Sequence, residues 1–546
     1  MREPYDAIVI GAGLNGLTAA AYLARGGVRV LVLERRATIG GSTTTEEFAP
    51  GYRVDACRHD AGWIAPAIVE QLELARHGLQ RLSGGARTIA PAPDGSALHM
   101  GRGALEASLR HLSPADAARW PAFAERVRAL AGFLGRTYRA PVPGPDASSL
   151  GDLATAARLA VALRALGKRD MVDLLRVLPM SVAEFLDDWF ESPLLKGVLG
   201  TRGVLHLCQG PRAAGTGFNF LHHHVGRPAG AYPAPIAPIG GAGALARALT
   251  AAAQAAGAEI RTGATVARII TKGGAARGVA LATGEEIPAA RVVSGASPRH
   301  TFLELCDPAR LAPEFVRAVR NVRYRGAWAK VNLALERLPA FTGAGASAGA
   351  SAGAAAGTAP AGRGDTSPIG ALIIAPSLDY LERAYDDAKY GRVSARPWLE
   401  VVVPTVTDPS LAPPGRHVLS IHAQYAPYHR RDSAWDAAAR DALGDLVVST
   451  LAEYAPGLPG LILHRQVLTP VDLDAEYGLP EGHAYHGELM LDQAFFMRPV
   501  PACSHYRTPV RALYLCGSGA HPGGGIAGGA GANAARVILA DGRKSR

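Results

Sequence analysis

Between Ala7 and Glu34 the chain changes its hydrophobic rhythm twice. Ala7–Ile10 is an unbroken apolar run that ends in glycine, the pattern of a strand covered on both faces. From Leu14 to Arg25 small and apolar residues follow one another as in a tightly packed helix, and Gly26-Gly27 ends it. Val28–Leu33 is again apolar without a break and stops at Glu34. This order predicts a strand–helix–strand unit. The pattern returns later in the chain. Pro238–Leu249 (PIGGAGALARAL) opens an Ala-rich helix running to Ala256, and Glu259–Arg261, Thr265–Ile270, Arg277–Leu281 and Arg291–Ser294 read as short strands between glycine turns. The first domain is expected to resume here.

Other stretches have other periods. Tyr52–Ala56 reads as a short strand after the Pro50-Gly51 turn. Residues from about 64 to 230 look largely helical, clearest in Asp116–Arg136 and Met171–Leu199, with a break at Pro141–Pro145. Such an insertion suits either a lid over a greasy substrate or a plain packing domain. From Ala371 to Ile421 strands alternate with loops, and Trp435–Tyr454 is an amphipathic helix. Gly343–Gly364 holds too few large apolar groups to offset its ordering entropy and is expected to be a flexible surface insertion. Near the C-terminus, Leu513–Cys516 is a strand, Gly517–Gly525 a glycine loop around His521-Pro522, and Ile526–Leu539 a helix.

The turn after the first strand reads Gly11-Ala12-Gly13-Leu14-Asn15-Gly16. Gly11 allows the tight turn, Gly13 lets a diphosphate approach the backbone, and Gly16 lets helix and strand pack closely. The N–H groups of the helix opened by Leu14 and Asn15 then face an anion, which the helix dipole favours. Glu34, 18 residues after Gly16, is placed to accept hydrogen bonds from a ribose diol. A carboxylate there disfavours a 2′-phosphate, so the ligand should be FAD or NAD, not NADP. Arg35 follows, and then Gly40-Gly41-Ser42-Thr43-Thr44, which suits either a second backbone approach to the same diphosphate or an ordinary polar turn. Gly523–Gly528 repeats the glycine spacing without a following strand and acid. One dinucleotide site is therefore expected, with the last helix capping another part of the same cofactor.

At 546 residues, 48% hydrophobic and 19% charged, the chain has room for two or more globular domains. Its net charge of +10 tempts a nucleic-acid reading, but only six of the 57 basic residues are lysine and the arginines are spread along the chain. No nucleic-acid role is expected; peripheral contact with an anionic membrane surface stays open. The five cysteines show neither CxxC nor metal spacing, Met1–Asp6 carries no signal peptide, and no apolar run is long enough to span a bilayer. A cytoplasmic setting is expected. His222-His223-His224 looks like a metal site, but three adjacent side chains diverge, so no metal is expected.

The fingerprint, the glycine doublet and the C-terminal LYLCGSGAHPGGGIAGGAGANAA together resemble the glycine-doublet flavoproteins, the superfamily of phytoene desaturases and amine oxidases. Gly487-Glu488-Leu489-Met490-Leu491-Asp492-Gln493, Arg498-Pro499 and Gly517–Gly525 are similar to the bacterial relatives of pyridine nucleotide-disulfide oxidoreductase domain-containing protein 2. The resemblance implies an α/β architecture: a Rossmann-type FAD-binding domain (1–90, 235–310 and 491–546) plus an α+β substrate domain with a helical cap (91–234 and 311–490). It implies FAD, with Gly11, Gly13, Gly16 and Glu34 at the ADP half and Gly41 in the doublet. Val266 matches a backbone clamp on adenine. Gly517, Gly525 and Ile526 match the segment under the flavin and at the helix N-terminus facing its N1/O2 edge, a placement that favours the reduced ring. Ser42 stands where many relatives carry arginine, which leaves the diphosphate less directly neutralised. Without a CxxC, disulfide reduction is unsupported.

The resemblance further implies removal of hydride from a hydrophobic small molecule, by a desaturase or dehydrogenase reoxidised by oxygen or another acceptor. An amine oxidase and a non-catalytic flavoprotein that regulates a partner are the alternatives. Two residues are candidates near the reacting centre. In Ala327–Leu335 (AWAKVNLAL) alternate residues share a face, with Ala329, Val331, Leu333 and Leu335 apolar and Trp328, Lys330 and Asn332 opposite. Amine oxidases of the superfamily place a lysine on a comparable strand near flavin N5. Lys330 is thus expected either to face a cavity there or to snorkel from an exposed edge strand. His521 is expected either near the reacting centre or as a loop-ordering ring bonded to a backbone carbonyl.

Overall fold

The N-terminal apolar run becomes the strand Tyr5–Ile10 in the middle of a seven-stranded sheet. Both its neighbours run parallel to it: Val30–Leu33 on one side (Ala7 opposite Val30) and Glu286–Ser294 on the other (Ala7 opposite Arg291). Glu259–Arg261 extends the sheet beyond Val30–Leu33, and Leu513–Leu515 pairs with Glu286–Ser294. The antiparallel strands Ala275–Leu281 and Val266–Lys272 complete it. Three distant pieces of chain thus make one layer. The computed structural model describes residues 4–58, 62–80, 86–101, 103–144, 150–227, 238–343 and 368–544.

The helix Leu14–Arg25 packs between Gly243–Ala255 and Gly529–Lys544. The second contact requires glycine: a Cβ on Gly531 would lie 2.0 Å from the Asn15 carbonyl oxygen, and one on Gly528 2.6 Å from Thr18 Oγ1. This brings the C-terminal glycine loop beside the N-terminal fingerprint.

A second seven-stranded sheet runs in the order Ile462–Leu468, Trp328–Leu335, His417–Gln424, Leu399–Val402, Ile369–Ile374, Arg87–Pro91, Ala97–Met100. The expected boundary at residue 90 therefore cuts a strand that belongs wholly to this sheet. One face of the sheet packs on Ala437–Ala452, burying Ala329, Val331 and Leu333 against Leu443, Val447 and Leu451. The other face lies under the cap helices, which include Pro114–Thr137, Gly167–Val177, Pro193–Val204 and Thr216–His223.

Local capping explains where the hydrophobic pattern misleads. Met171–Leu199 is not one helix. Ser181 forms a capping box with Glu184, and Ser192-Pro193 opens another helix, so the stretch spans parts of Gly167–Val177, Val182–Asp187 and Pro193–Val204. Between Ala371 and Ile421 lies a helix, Leu378–Lys389, capped by the Ser377 side chain. Ile526 belongs to a two-residue strand paired with Trp63–Ile64, and the last helix starts at Gly529. The Ala/Gly/Ser insertion falls outside the described residues apart from Gly343. No helix among the described residues is long and apolar enough to cross a membrane.

Candidate active site

The first strand ends at a turn where Gly11 takes φ +91°. A Cβ on Gly16 would lie 2.1 Å from the Gly11 oxygen, so only glycine lets the helix start this close to the strand. A Cβ on Gly13 would meet no protein atom within 4 Å, because this edge of the turn borders open space. The doublet closes from the other side. Gly40 N–H donates to the Ala12 carbonyl at 2.9 Å, and a Cβ on Gly41, at φ +61°, would lie 3.3 Å from the Gly13 Cα. Glu34 is buried at the end of its strand, where its two carboxylate oxygens accept from Ala12 N–H (2.8 Å) and Arg36 N–H (2.9 Å).

These groups border a groove of about 1880 Å³, part of it open to solvent. The fingerprint lines it with Gly11, Gly13, Leu14, Asn15 and Gly16. Glu34, Arg35, Gly41 and Ser42 line the next stretch, Val266 stands at one wall, and Gly517, Gly525 and Ile526 line another. Residues more than 500 positions apart in sequence are thus brought to one site. Arg35 has a second task, since its guanidinium donates to the Ala475 and Glu476 carbonyls at 2.9 Å. Two observations fit an anionic dinucleotide. The helix Leu14–Arg25 has no side-chain cap at its N-terminus, and Asn15 Oδ1 is buried without a hydrogen-bond partner.

Beyond Gly525 lies a narrow inner cavity, about 570 Å³ of space between atoms with part of it open to solvent. Gly525 and Arg58 line both spaces. The cavity wall is the polar face of the second sheet. Lys330 pairs across the strands with His422, and His422 with Glu400, so three polar side chains stand abreast. Trp328–Leu335 is hydrogen-bonded along both edges and buried throughout, which rules out the snorkelling edge strand. Lys330 is fully buried on the cavity wall. Burial lowers its pKa to about 8, against the attraction of Asp55, Cys57 and Glu400. Glu400 is held by Arg202 in a two-pronged pair, at 2.7 and 3.0 Å.

Histidines and aromatic rings complete the wall. His222 Nε2 donates to the Gly524 carbonyl at 2.8 Å and its Nδ1 accepts from Tyr138 Oη at 2.8 Å. His223 Nδ1 faces the Arg202 and Asn219 carbonyls, so Nε2 accepts from Tyr485 Oη at 2.9 Å. His224 turns back to the Phe220 carbonyl. The three rings go to different partners, and among the described residues no group of His, Cys, Asp and Glu is arranged to hold a metal. Burial holds His223 well below its ordinary pKa and lowers His222 to about 3. His521 lines neither space; its Nε2 donates to the Thr137 carbonyl at 3.0 Å. The Arg498 guanidinium donates to the carbonyls of Tyr485, Gly487, Glu488, Gln493 and Ser518, locking the loop after Tyr485 onto the glycine loop.

Sequence reasoning misses several wall residues: Arg58, Arg202, His206, Glu400, His422 and Tyr485. The signal that singles out Lys330 also marks two of them. Glu400 is the one polar residue in Leu399–Val402, and His422 stands between Ser420 and Gln424 on the polar side of His417–Gln424.

A sheet with a parallel core, a glycine-built groove and an acid at the end of the second strand define a dinucleotide-binding protein of the Rossmann class. Comparison narrows the class. The sequence profile of the flavin-containing amine oxidoreductases matches residues 14–539. The rat protein named pyridine nucleotide-disulfide oxidoreductase domain-containing protein 2 is 37% identical, over 99% of this chain and 94% of its own. One of the chains of limonene dehydrogenase from Castellaniella defragrans is 29% identical over 98% and 94%. Among solved structures, putrescine oxidase bound to putrescine superposes with a TM-score of 0.60 at 16% identity, covering 100% of both chains. Cyclohexylamine oxidase from Brevibacterium oxydans gives 0.58 at 16%, also over 100% of both. The chain belongs to the flavin-containing amine oxidoreductase family. It is an FAD-dependent oxidoreductase, with the α/β flavin-binding fold and a separate substrate domain.

Proposed function

We propose that the chain is a dehydrogenase of the desaturase type, acting on an organic molecule that enters the inner cavity with its reacting carbon toward Gly525. The observation that carries this reading is the junction itself, where Gly525 and Arg58 line both the cofactor groove and the cavity. FAD supplies a hydride acceptor at N5 of its ring. The chain's own residues do the binding and positioning. The uncapped helix start at Gly13–Gly16 receives the diphosphate, and Glu34 retains lone pairs for the ribose beyond the two backbone donors it already satisfies.

On the substrate side, Trp63, Trp328 and Tyr485 offer flat walls to an apolar part of the molecule. Trp63 is fixed in place by its N–H bond to the Gly525 carbonyl at 2.8 Å. An adjoining recess, about 1040 Å³ with part of it open to solvent, touches Trp63 and Ile526, is lined by Ala65, Pro66 and Ile68, and gives further room for an apolar portion. Lys330, mostly protonated at neutral pH, favours negative charge developing beside it during transfer. Oxygen or another acceptor would then remove the electrons. The test is anaerobic mixing of the purified yellow protein with acyl, polyene and amine compounds, reading the loss of flavin absorbance. Bleaching by one class names the chemistry. If none bleaches a flavin that dithionite reduces, the non-catalytic partner-binding reading gains instead.

A further inference from the structure

Two consecutive cap helices turn their side chains the wrong way round for water. Leu150–Arg164 and Gly167–Val177 pack on each other and on Pro114–Thr137. Of the seven large apolar side chains left exposed among the described residues, four fall on this pair: Leu153 (54%), Val161 (69%), Val172 (52%) and Leu175 (62%). They belong to two continuous exposed stripes. Leu153, Ala157, Ala160, Val161 and Arg164 recur at i, i+4, i+7, i+8 and i+11, and Lys168, Val172, Leu175 and Arg176 at i, i+4, i+7 and i+8.

The acids of the same helices point inward. Asp170 and Asp173 both pair with Arg126, which is buried on the neighbouring helix, and Asp152 lies 3.6 Å from His505 Nε2. An ordinary surface helix has the opposite arrangement, with acids toward water and aliphatic groups toward the core. What stays outside here is apolar and basic. Arg158 directs its guanidinium to the Ala154 carbonyl and Thr155 Oγ1, both uncharged. Arg164, Lys168 and Arg169 are exposed and form no ion pair among the described residues, whereas Arg176 meets Asp188.

That chemistry selects the occupant. A second copy laid face to face would oppose the same cations, and a nucleic-acid backbone would gain nothing from Leu153 or Leu175. An anionic bilayer surface answers both halves of the pattern. Its acyl boundary takes the aliphatic groups, and its phosphates take the arginine and lysine heads while their stems lie along the boundary.

We propose that this two-helix face seats the protein on an anionic membrane surface. Leu153, Val161, Val172 and Leu175 enter the headgroup layer, and Arg158, Arg164, Lys168 and Arg169 bind lipid phosphates. None of these residues lines the cofactor groove or the inner cavity, so docking and flavin binding can be measured separately.

The experiment is cosedimentation of the FAD-loaded protein with vesicles of phosphatidylcholine alone, and of phosphatidylcholine mixed with phosphatidylglycerol. The protein should bind the mixed vesicles and be released at high salt, where screening confines charge attraction to about 3 Å at 1 M. The triple variant Arg164→Gln, Lys168→Gln, Arg169→Gln should bind more weakly by about fivefold for each charge removed. Val161→Asp with Leu175→Asp should bring binding down to the level of phosphatidylcholine alone. Both side chains are more than half exposed, so flavin content should hold. If that variant loses its flavin, the triple variant and the salt dependence decide. No binding to the mixed vesicles, or binding undiminished in the variants, overturns the proposal. So does a dimer in solution that the aspartate variant dissociates, which gives the face to a second copy. Binding to polyglutamate as tight as to the mixed vesicles gives it to an acidic polypeptide and overturns the proposal equally.

Discussion

The cofactor groove and the inner cavity meet at Gly525 and Arg58, yet they are built in opposite ways. The groove is made of backbone, and its key positions work because they lack atoms. Gly13 leaves an edge open, and Gly16 and Gly41 let two segments close in. The cavity is made of side chains, and its positions work because large polar groups are present and held. Lys330, His422 and Glu400 stand abreast through strand register, and Arg202 reaches down from a cap helix to clasp Glu400. A site built on absence tolerates almost no addition. A site built on held charge tolerates almost no removal.

The two regions should therefore fail differently. The largest effect is expected from Gly13→Val. A Cβ there would meet no protein atom within 4 Å, so the fold should survive, but the branched group fills the space that a diphosphate needs. Purified protein should be folded and colourless, and a normal flavin-to-protein ratio would break the comparison on the groove side. Arg202→Met tests the cavity side. It takes the two-pronged guanidinium away from a buried carboxylate, which should cost up to roughly 3–5 kcal/mol of stability in a denaturant titration. Replacing both partners, Arg202→Met with Glu400→Leu, should recover most of that loss. A double variant no better than the single one would show that the pair is not the unit described.

The same contrast explains what can be read from the chain alone. The strand Tyr5–Ile10, the helix Leu14–Arg25 and the acid at Glu34 are local in sequence, so glycine spacing and apolar runs reveal them directly. Gly517, Gly525 and Ile526 reach the same groove on paper only through family resemblance, because nothing in a period of two or 3.6 says that a C-terminal loop returns to residue 15. The cavity is mostly illegible. Lys330 stands out as a lysine in an apolar strand, but its neighbours depend on a register that no single strand encodes. The histidine run draws attention as a metal motif, whereas its rings order a glycine loop and a tyrosine. Ser377 and Ser181 carry cap signals, which the longer hydrophobic pattern around them masks.

A smaller effect sharpens the groove side. Glu34→Ala should weaken FAD binding by roughly 1.5–3 kcal/mol, the range for a hydrogen bond to a charged acceptor. It also leaves the Ala12 and Arg36 N–H groups without their acceptor, so the flavin-free protein should lose stability too. Equal flavin affinity in the variant, measured by fluorescence on reconstitution, would mean that Glu34 serves only the backbone. On the cavity side the matching test is pH. The Lys330 ammonium stands on the cavity wall, and burial has brought its pKa down to about 8. The rate of anaerobic flavin reduction by a substrate should stay flat from about pH 6 to about 8 and then fall by up to tenfold per unit as the lysine loses its proton. Among the groups around Lys330, Cys57 is pushed up to about 12 and stays neutral. Glu400 and His422 stand beside Lys330 on the same face. Asp55 is raised to about 6 by burial, so its protonation removes a nearby negative charge and the rate should rise slightly below that pH. A rate unchanged through about pH 9 would take Lys330 away from the reacting centre.

The smallest effect is expected from His521→Gln. A carbonyl can only accept, so the bond to Thr137 places the proton on Nε2, and Nδ1 is buried without a partner. Burial lowers the ring's pKa to about 4, so it stays neutral across the working range and carries no proton to exchange with a substrate. The ring sits among Tyr138 and Phe495, outside both the groove and the cavity. A glutamine amide can donate to the same carbonyl. The variant should keep its flavin, its rate of flavin reduction and its pH profile, with a loss of at most about 1 kcal/mol in stability. A reduction rate that falls with flavin content intact would bring His521 back to the reacting centre. It would also mean that the glycine loop contributes chemistry through a side chain as well as a shaped backbone, and the line drawn between the two regions would then run through that loop.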